Sequence, residues 1–390
     1  MKRTRFARRG GLTRDAEQLT KLALGLAQSA SRVEDEYWSG HLASLVDRLL
    51  AAANEDALNA ALDQLWRDDA RAYDELADFI EAGAECGAQS EGGENYDVLL
   101  FAAPLLAWSR FSIPADVIPG GIVQTLKVQL GAHVFAAGAK IELANFLFSP
   151  DQLPRGYSET RQLRERLTAG LFGSNPAAVD TAELPQTTNF LSDTRYLIGV
   201  VAAPRGAPLM RWQETDGSRE HAGNQWRSQG GAVITPLLPA CAVEVLLPNA
   251  YHAACREADR ASRPYSLAAS VSFLETVLNV KADRLRAVIA PFYDKRLEEY
   301  RIGFTLGDSN EVVHGVVWAL LGAEDEETDV LGEIEGVLRE RGVTDILVLE
   351  DRMPMEYCDE CGAPLYPDPE GQPVHAELPE DEVQPPAHLH

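Results

Sequence analysis

The sequence predicts a mixed α/β protein: a helical N-terminal domain, a core made of duplicated ββαβα units forming mixed sheets, and a short cysteine-bearing tail. Three observations carry that prediction. Apolar residues recur at helical spacing over residues 13–87, the mark of amphipathic helices. After a polar break, short β runs alternate with helical stretches, the texture of α/β layering. The string Phe101-Ala102-Ala103-Pro104 returns 100 residues later as Val201-Ala202-Ala203-Pro204, the sign of an internal repeat.

Residues 1–14 carry six basic residues and no acidic one. They read as a flexible arm, either a solvated terminus or a small electrostatic handle for RNA, a ribosome or an acidic partner. Residues 15–87 read as a helical domain. Leu19, Leu22 and Leu26 share one face, as do Leu42, Leu45 and Leu49; Leu58, Leu62 and Leu65 follow, then Tyr73, Leu76, Phe79 and Ile80. Asn54 and Asp68 suit the N-caps of the third and fourth helices. Four antiparallel helices form a bundle or a helical-repeat-like layer, whose outer surface packs on the rest of the chain, covers another domain or suits a protein partner. Residues 88–95 are polar and Gly-rich and read as a hinge.

The core spans residues 96–265, in units of about 96–170 and 195–265. In each, a strand leads through Ala-Ala-Pro to a second one ending near Trp108 or Trp212. A helix and another strand (140–148 or 242–247) come next, and a helix opened by Pro150 or Pro248 closes the unit, proline being tolerated in a first turn. A third α/β unit covers 266–350. It holds strands at 286–290, 299–305 and 312–321, a helix at 328–341 and a strand at 345–349. Residues 351–390 form an acidic tail.

Composition bounds the function. The 390 residues are 45% apolar and 24% charged, as in ordinary globular proteins, and the length suits two or three domains. Sixty acidic residues against 35 basic ones leave a charge of −25, which disfavours most of the surface as a nucleic-acid platform. No apolar run nears the roughly 18 residues of a membrane helix. The basic start is not followed by an apolar stretch, so no secretory signal is expected. Five cysteines are too few, and odd in number, for a disulfide framework; the expected compartment is the bacterial cytoplasm. Cys86, Cys241 and Cys255 read as small core hydrophobes.

One motif stands out: Tyr357-Cys358-Asp359-Glu360-Cys361-Gly362. Cys-x-x-Cys-Gly is the knuckle of zinc ribbons, in which two thiolates converge on one ion and glycine lets backbone N–H groups approach the sulfurs. A structural zinc takes four ligands. His375 returns after 13 residues, and His388 and His390 are the further candidates, giving Cys₂His₂ from Cys358, Cys361, His375 and one terminal histidine. Two subunits each contributing a cysteine pair would also satisfy the ion, and a metal-free pair on an acidic tail is the bland alternative. A redox motif would open a helix, which Gly362 and Pro364 prevent.

Elsewhere the signals are weaker. His252, Cys255 and Asp259 share a helix face, but nucleophile and base rarely come from one helix. On the same helix Arg256, Glu257 and Asp259 are candidates to line a ligand pocket between the two repeats. The acids Glu324 to Glu327 precede a helix and suit its dipole and solvent. The chain has no phosphate loop, GxGxxG, HExxH or GxSxG string, so no nucleotide cofactor is expected and no catalytic residue is assigned. The first functional expectation is a zinc-bearing, non-catalytic binding or regulatory protein. The others are an enzyme or small-molecule sensor with its pocket between the repeats, and an RNA- or ribosome-associated protein acting through the basic arm.

Several strings occur together: Arg5-Phe-Ala-Arg-Arg9, Leu100-Phe-Ala-Ala-Pro104, Asp151-Gln-Leu-Pro154, Cys255-Arg-Glu-Ala-Asp-Arg260, Glu299-Tyr-Arg-Ile-Gly-Phe-Thr305, Gly315-Val-Val-Trp318, Tyr357 to Tyr366, and Val374-His-Ala-Glu377. With these the chain resembles, essentially end to end, the bacterial family of domain of unknown function 2863. The resemblance is consistent with a cytoplasmic protein ending in a Cys-x-x-Cys-Gly segment. It brings no activity, substrate or catalytic residue.

Overall fold

The computed structural model describes residues 12–173, 179–187, 190–307, 309–322 and 324–378, and its class is mixed α/β. The chain divides into two compact units. The first comprises Met1–Ala107, Phe111–Phe190 and Thr194–Cys255, the second Trp108–Arg110, Leu191–Asp193 and Arg256–His390.

The first unit opens with α1 (Arg14–Ala27), α2 (Arg32–Ala51), α3 (Glu55–Asp68) and α4 (Ala70–Glu85). Their leucine faces, Leu19, Leu42, Leu58 and Leu76 among them, merge into one core. Each start is capped by a side chain accepting a backbone N–H: Thr13 from Ala16, Ser31 from Glu34, Asn54 from Ala57 and Asp69 from Ala72. The cap expected at Asp68 therefore lies one residue later. Asp69 takes the extended conformation (φ −158°, ψ 102°) that a cap requires, and Asp68 is the last residue of α3. Asp69→Ala should lower stability by about 1 kcal/mol, whereas Asp68→Ala should leave it within a few tenths. Thermal unfolding of the two variants checks this.

The expected hinge is a β-hairpin. β1 (Cys86–Glu91) pairs antiparallel with β2 (Glu94–Trp108), Glu91 facing Glu94 across Gly92 and Gly93. Both glycines have left-handed φ, 60° and 84°, as a two-residue turn matching strand twist demands. A Gly-Gly pair thus marks a tight reversal here rather than a flexible joint. Cys86, expected in the core, is exposed at the start of β1, and Cys241 is half-buried.

Where two strands were expected to open residues 96–170, the structure has one. β2 runs as one strand through Ala102-Ala103-Pro104. Proline forfeits one N–H there, but the Pro104 carbonyl accepts from Leu246 at 3.0 Å, so pairing continues past it. α5 (Gly120–His133), β3 (Lys140–Phe148) and α6 (Tyr157–Phe172) follow it. Next come β4 (Ser192–Pro204), α7 (Arg219–Gln225), a π-turn at Trp226–Gly230, α8 (Gly231–Ile234), β5 (Ala242–Val245), β6 (Asn249–Ala250) and α9 (Tyr251–Val277). Trp212 sits on a single 3₁₀ turn instead of a strand, Pro150 opens only a 3₁₀ turn, and Pro248 precedes β6 instead of opening a helix. The strands make one sheet in the order β1-β2-β4-β3, with β5 and β6 also paired to β2.

The second unit is built on β7 (Leu285–Tyr293), β8 (Leu297–Leu306) and β9 (Val312–Ala319), an antiparallel meander. α10 (Val330–Glu340) then leads to β10 (Asp345–Val348), parallel to β7. β11 (Met353–Pro354) extends the β7 edge, and β12 (Tyr366–Pro367) pairs with β13 (Pro373–Val374). Alternation along the strands sorts the residues. Ile289, Ile302, Phe304, Val316 and Trp318 pack with Leu267, Leu274, Ile334 and Leu338 of α9 and α10. On the other face lie Phe292, Arg301, Gly303 and Gly315. Among the described residues, no helix is long and apolar enough to cross a membrane.

Candidate metal centre

The C-terminal segment of the second unit brings Cys358, Cys361 and His375 together, their ligand atoms all within 4.8 Å of one another. Cys361 Sγ lies 3.3 Å from His375 Nε2. Local backbone chemistry makes the loop. Gly362 N–H donates to the Cys358 carbonyl at 2.8 Å and Cys358 N–H to the Ala363 carbonyl at 2.7 Å. Gly362, at φ 72°, supplies a left-handed turn that a side chain would resist. The backbone N–H of Cys361, then that of Glu360 and the Cys361 side chain, hold the Cys358 thiol below its ordinary range. Hydrogen bonds to sulfur favour the thiolate, the form that binds metal.

His375 is returned to the pair by the β12–β13 hairpin. Asp368 shapes its turn, its Oδ1 accepting from Glu370 and Gln372 at 2.9 and 2.8 Å, with Gly371 at φ 81°. Glu377 Oε1 stands 3.5 Å from His375 Nδ1. A carboxylate on one ring nitrogen fixes the imidazole and leaves the other for a metal. Glu377 is itself placed by its N–H, which donates to the Val312 carbonyl at 2.9 Å. Two thiolates and an imidazole form a borderline-soft donor set suited to a transition-metal ion and unsuited to calcium or magnesium.

His388 and His390 lie outside the described residues, as does most of the basic arm. Arg256, Glu257 and Asp259 stand on the exposed face of α9, and Glu257 pairs with Arg260 at 3.5 Å. A groove of about 960 Å³ in the first unit is lined by α6 and neighbouring loops, including Asp151, Arg155, Glu159 and Arg166. Glu324, expected to serve solvent and a helix dipole, takes a bidentate hold on buried Arg263 at 2.6 and 3.0 Å.

Arg301, Gly303 and Gly315, which carry the ribbon, escaped the sequence reading. The available signal was two glycines inside strands, which often mark a close backbone approach.

Fold and site together define a mixed α/β protein whose C-terminal ribbon holds a Cys-Cys-His cluster able to bind a metal ion. The chain belongs to the family described as protein of unknown function (DUF2863), whose model matches residues 4–389. No curated protein and no solved structure is significantly similar to it.

Proposed function

We propose that the chain binds one zinc ion through Cys358, Cys361 and His375, and that the ion is structural. The protein then acts without catalysis, by binding or regulating another macromolecule. The convergence of the three donor atoms to within 4.8 Å supports this reading. Structural zinc is four-coordinate, so one further ligand is needed, and His388 or His390 would supply it. The partner is a protein, docking on the helical layer, where Val33 and Tyr37 of α2 and Trp66 of α3 are exposed. The absence of a disulfide among the described residues suits a reducing compartment.

Chain purified without chelator should contain close to one zinc per molecule by elemental analysis, and Cys358→Ser should abolish most of it. Cobalt substitution should give a sulfur-to-metal charge-transfer band. Wild-type protein free of metal and without that band would remove the proposal.

A further inference from the structure

The ribbon is seated on the outer face of the β7–β8–β9 sheet by contacts that do not involve the ligand side chains. Arg301 of β8 is fully buried. Its Nη1 donates to the carbonyls of Glu356 and Leu365, both at 2.7 Å. Those residues pair with each other across the neck of the knuckle, Leu365 N–H reaching the Glu356 carbonyl at 3.3 Å. One guanidinium nitrogen therefore clamps both ends of the loop that carries Cys358 and Cys361. Glu299 holds the Arg301 Nε at 2.6 Å, and the guanidinium lies over the Phe292 and Tyr357 rings at 4.2 and 5.0 Å.

A second contact positions the hairpin that carries His375. Gly303 and Gly315 face each other in register on β8 and β9. A Cβ on Gly315 would strike the Tyr366 ring, and one on Gly303 would strike the Pro367 carbonyl. The two glycines form a side-chain-free saddle into which β12 settles. Knuckle and histidine hairpin are thus held by one sheet surface, and the metal would tie them together above it.

We infer that Arg301 and the Gly303–Gly315 saddle are positioning elements of the metal centre, so that ion binding and seating of the ribbon on the sheet are one coupled equilibrium. The inference rests on the zinc reading above. Ligands presented from a preorganised support bind more tightly than the same ligands on a loose loop. By linkage, the ion must stabilise the seated ribbon by the factor that seating adds to its affinity. Loss of the ion loosens the ribbon and uncovers the face containing Arg301 and Phe292, which gives the protein a metal-dependent surface.

The test uses the full chain and zinc alone, measured by competition with a chromophoric chelator. Tyr366→Ala and Arg301→Lys should each weaken zinc binding by about ten-fold or more, the range found for supporting residues of metal sites. Tyr366→Phe, which keeps the ring on the saddle, should bind like wild type. In wild type, zinc should slow amide exchange in β8 and β9, and Tyr366→Ala should abolish that protection. Tyr366 belongs to the ribbon and not to the sheet core, so this variant reports even if Arg301→Lys fails to fold. Equal affinities in wild type and Tyr366→Ala, or exchange in β8 and β9 indifferent to zinc, would overturn the coupling while leaving the zinc site standing. A wild-type chain that binds no zinc would overturn both.

Discussion

Arg263→Ala is expected to destabilise the second unit by about 3 kcal/mol, the low end of the range for breaking a buried ion pair. Arg263, on α9, is 7% exposed. It donates to both oxygens of Glu324 at 2.6 and 3.0 Å and to the Ala319 carbonyl at 3.1 Å, and it lies 5.0 Å over the Trp318 ring. Removing it leaves a carboxylate facing the unit's interior and opens space beside a buried tryptophan. Glu324 keeps 21% of its side chain in water, which relieves part of the cost and places the estimate low in the range. Burial alone would raise the Glu324 carboxyl, but hydrogen bonds from Arg263 and from Leu321 N–H outweigh it and hold the group below the ordinary carboxylate value. The pair's contribution is therefore present above that range and lost as pH falls through the lowered value. Calorimetry at neutral pH should show a drop on the order of 10 °C in the transition of this unit. A shift under 2 °C would mean the pair is worth no more than a surface one.

Acidification should weaken the same unit through His314. The imidazole sits on the buried face of β9, its Nε2 3.1 Å from Ser270 Oγ and its ring packed against Phe273 and Phe304. Burial lowers its pKa from 6.5 to about 4. The folded form holds it neutral, so the unfolded chain binds the proton more readily. Stability is then full above pH 6.5 and declines as pH falls toward 4. At about 1.4 kcal/mol per pKa unit the loss reaches about 3 kcal/mol at the acid end. Metal binding carries a pH dependence of its own, so the informative quantity is the difference between wild type and His314→Gln with chelator present. That variant should flatten the pH dependence between 6.5 and 4. An unchanged slope would show that His314 is not the group responsible.

Local chemistry explains what could be read from sequence. The three strands, helix and final strand of residues 285–348 follow from alternating apolar runs and a Gly-terminated helical stretch, and only the pairing shows that the last runs parallel to β7. The helices α1 to α4 follow from leucine spacing. Asp69 displaced Asp68 as a cap because two adjacent aspartates are equivalent in sequence and only backbone conformation separates them. Gly92-Gly93 permits either a hinge or a type I′ turn, and pairing between β1 and β2 decides. Pro104 suggested a strand break because it lacks an N–H, yet its carbonyl found a partner in Leu246.

The candidate metal centre divides the same way. Cys358, Cys361 and His375 could be picked out because donor type and short spacing are written along the chain. Arg301 could not, because the carbonyls it clamps lie 55 and 64 residues away. Nor could the saddle, whose glycines become a seat only when β8 and β9 pair in register. By itself the sequence determined which residues can donate to a metal, where the N-terminal helices and the strands of residues 285–348 form, and how acidic the molecule is, since these depend on side-chain chemistry and near neighbours. Tertiary structure alone decided what holds the donors in place, because that rests on contacts between distant segments that exist only once the chain has folded.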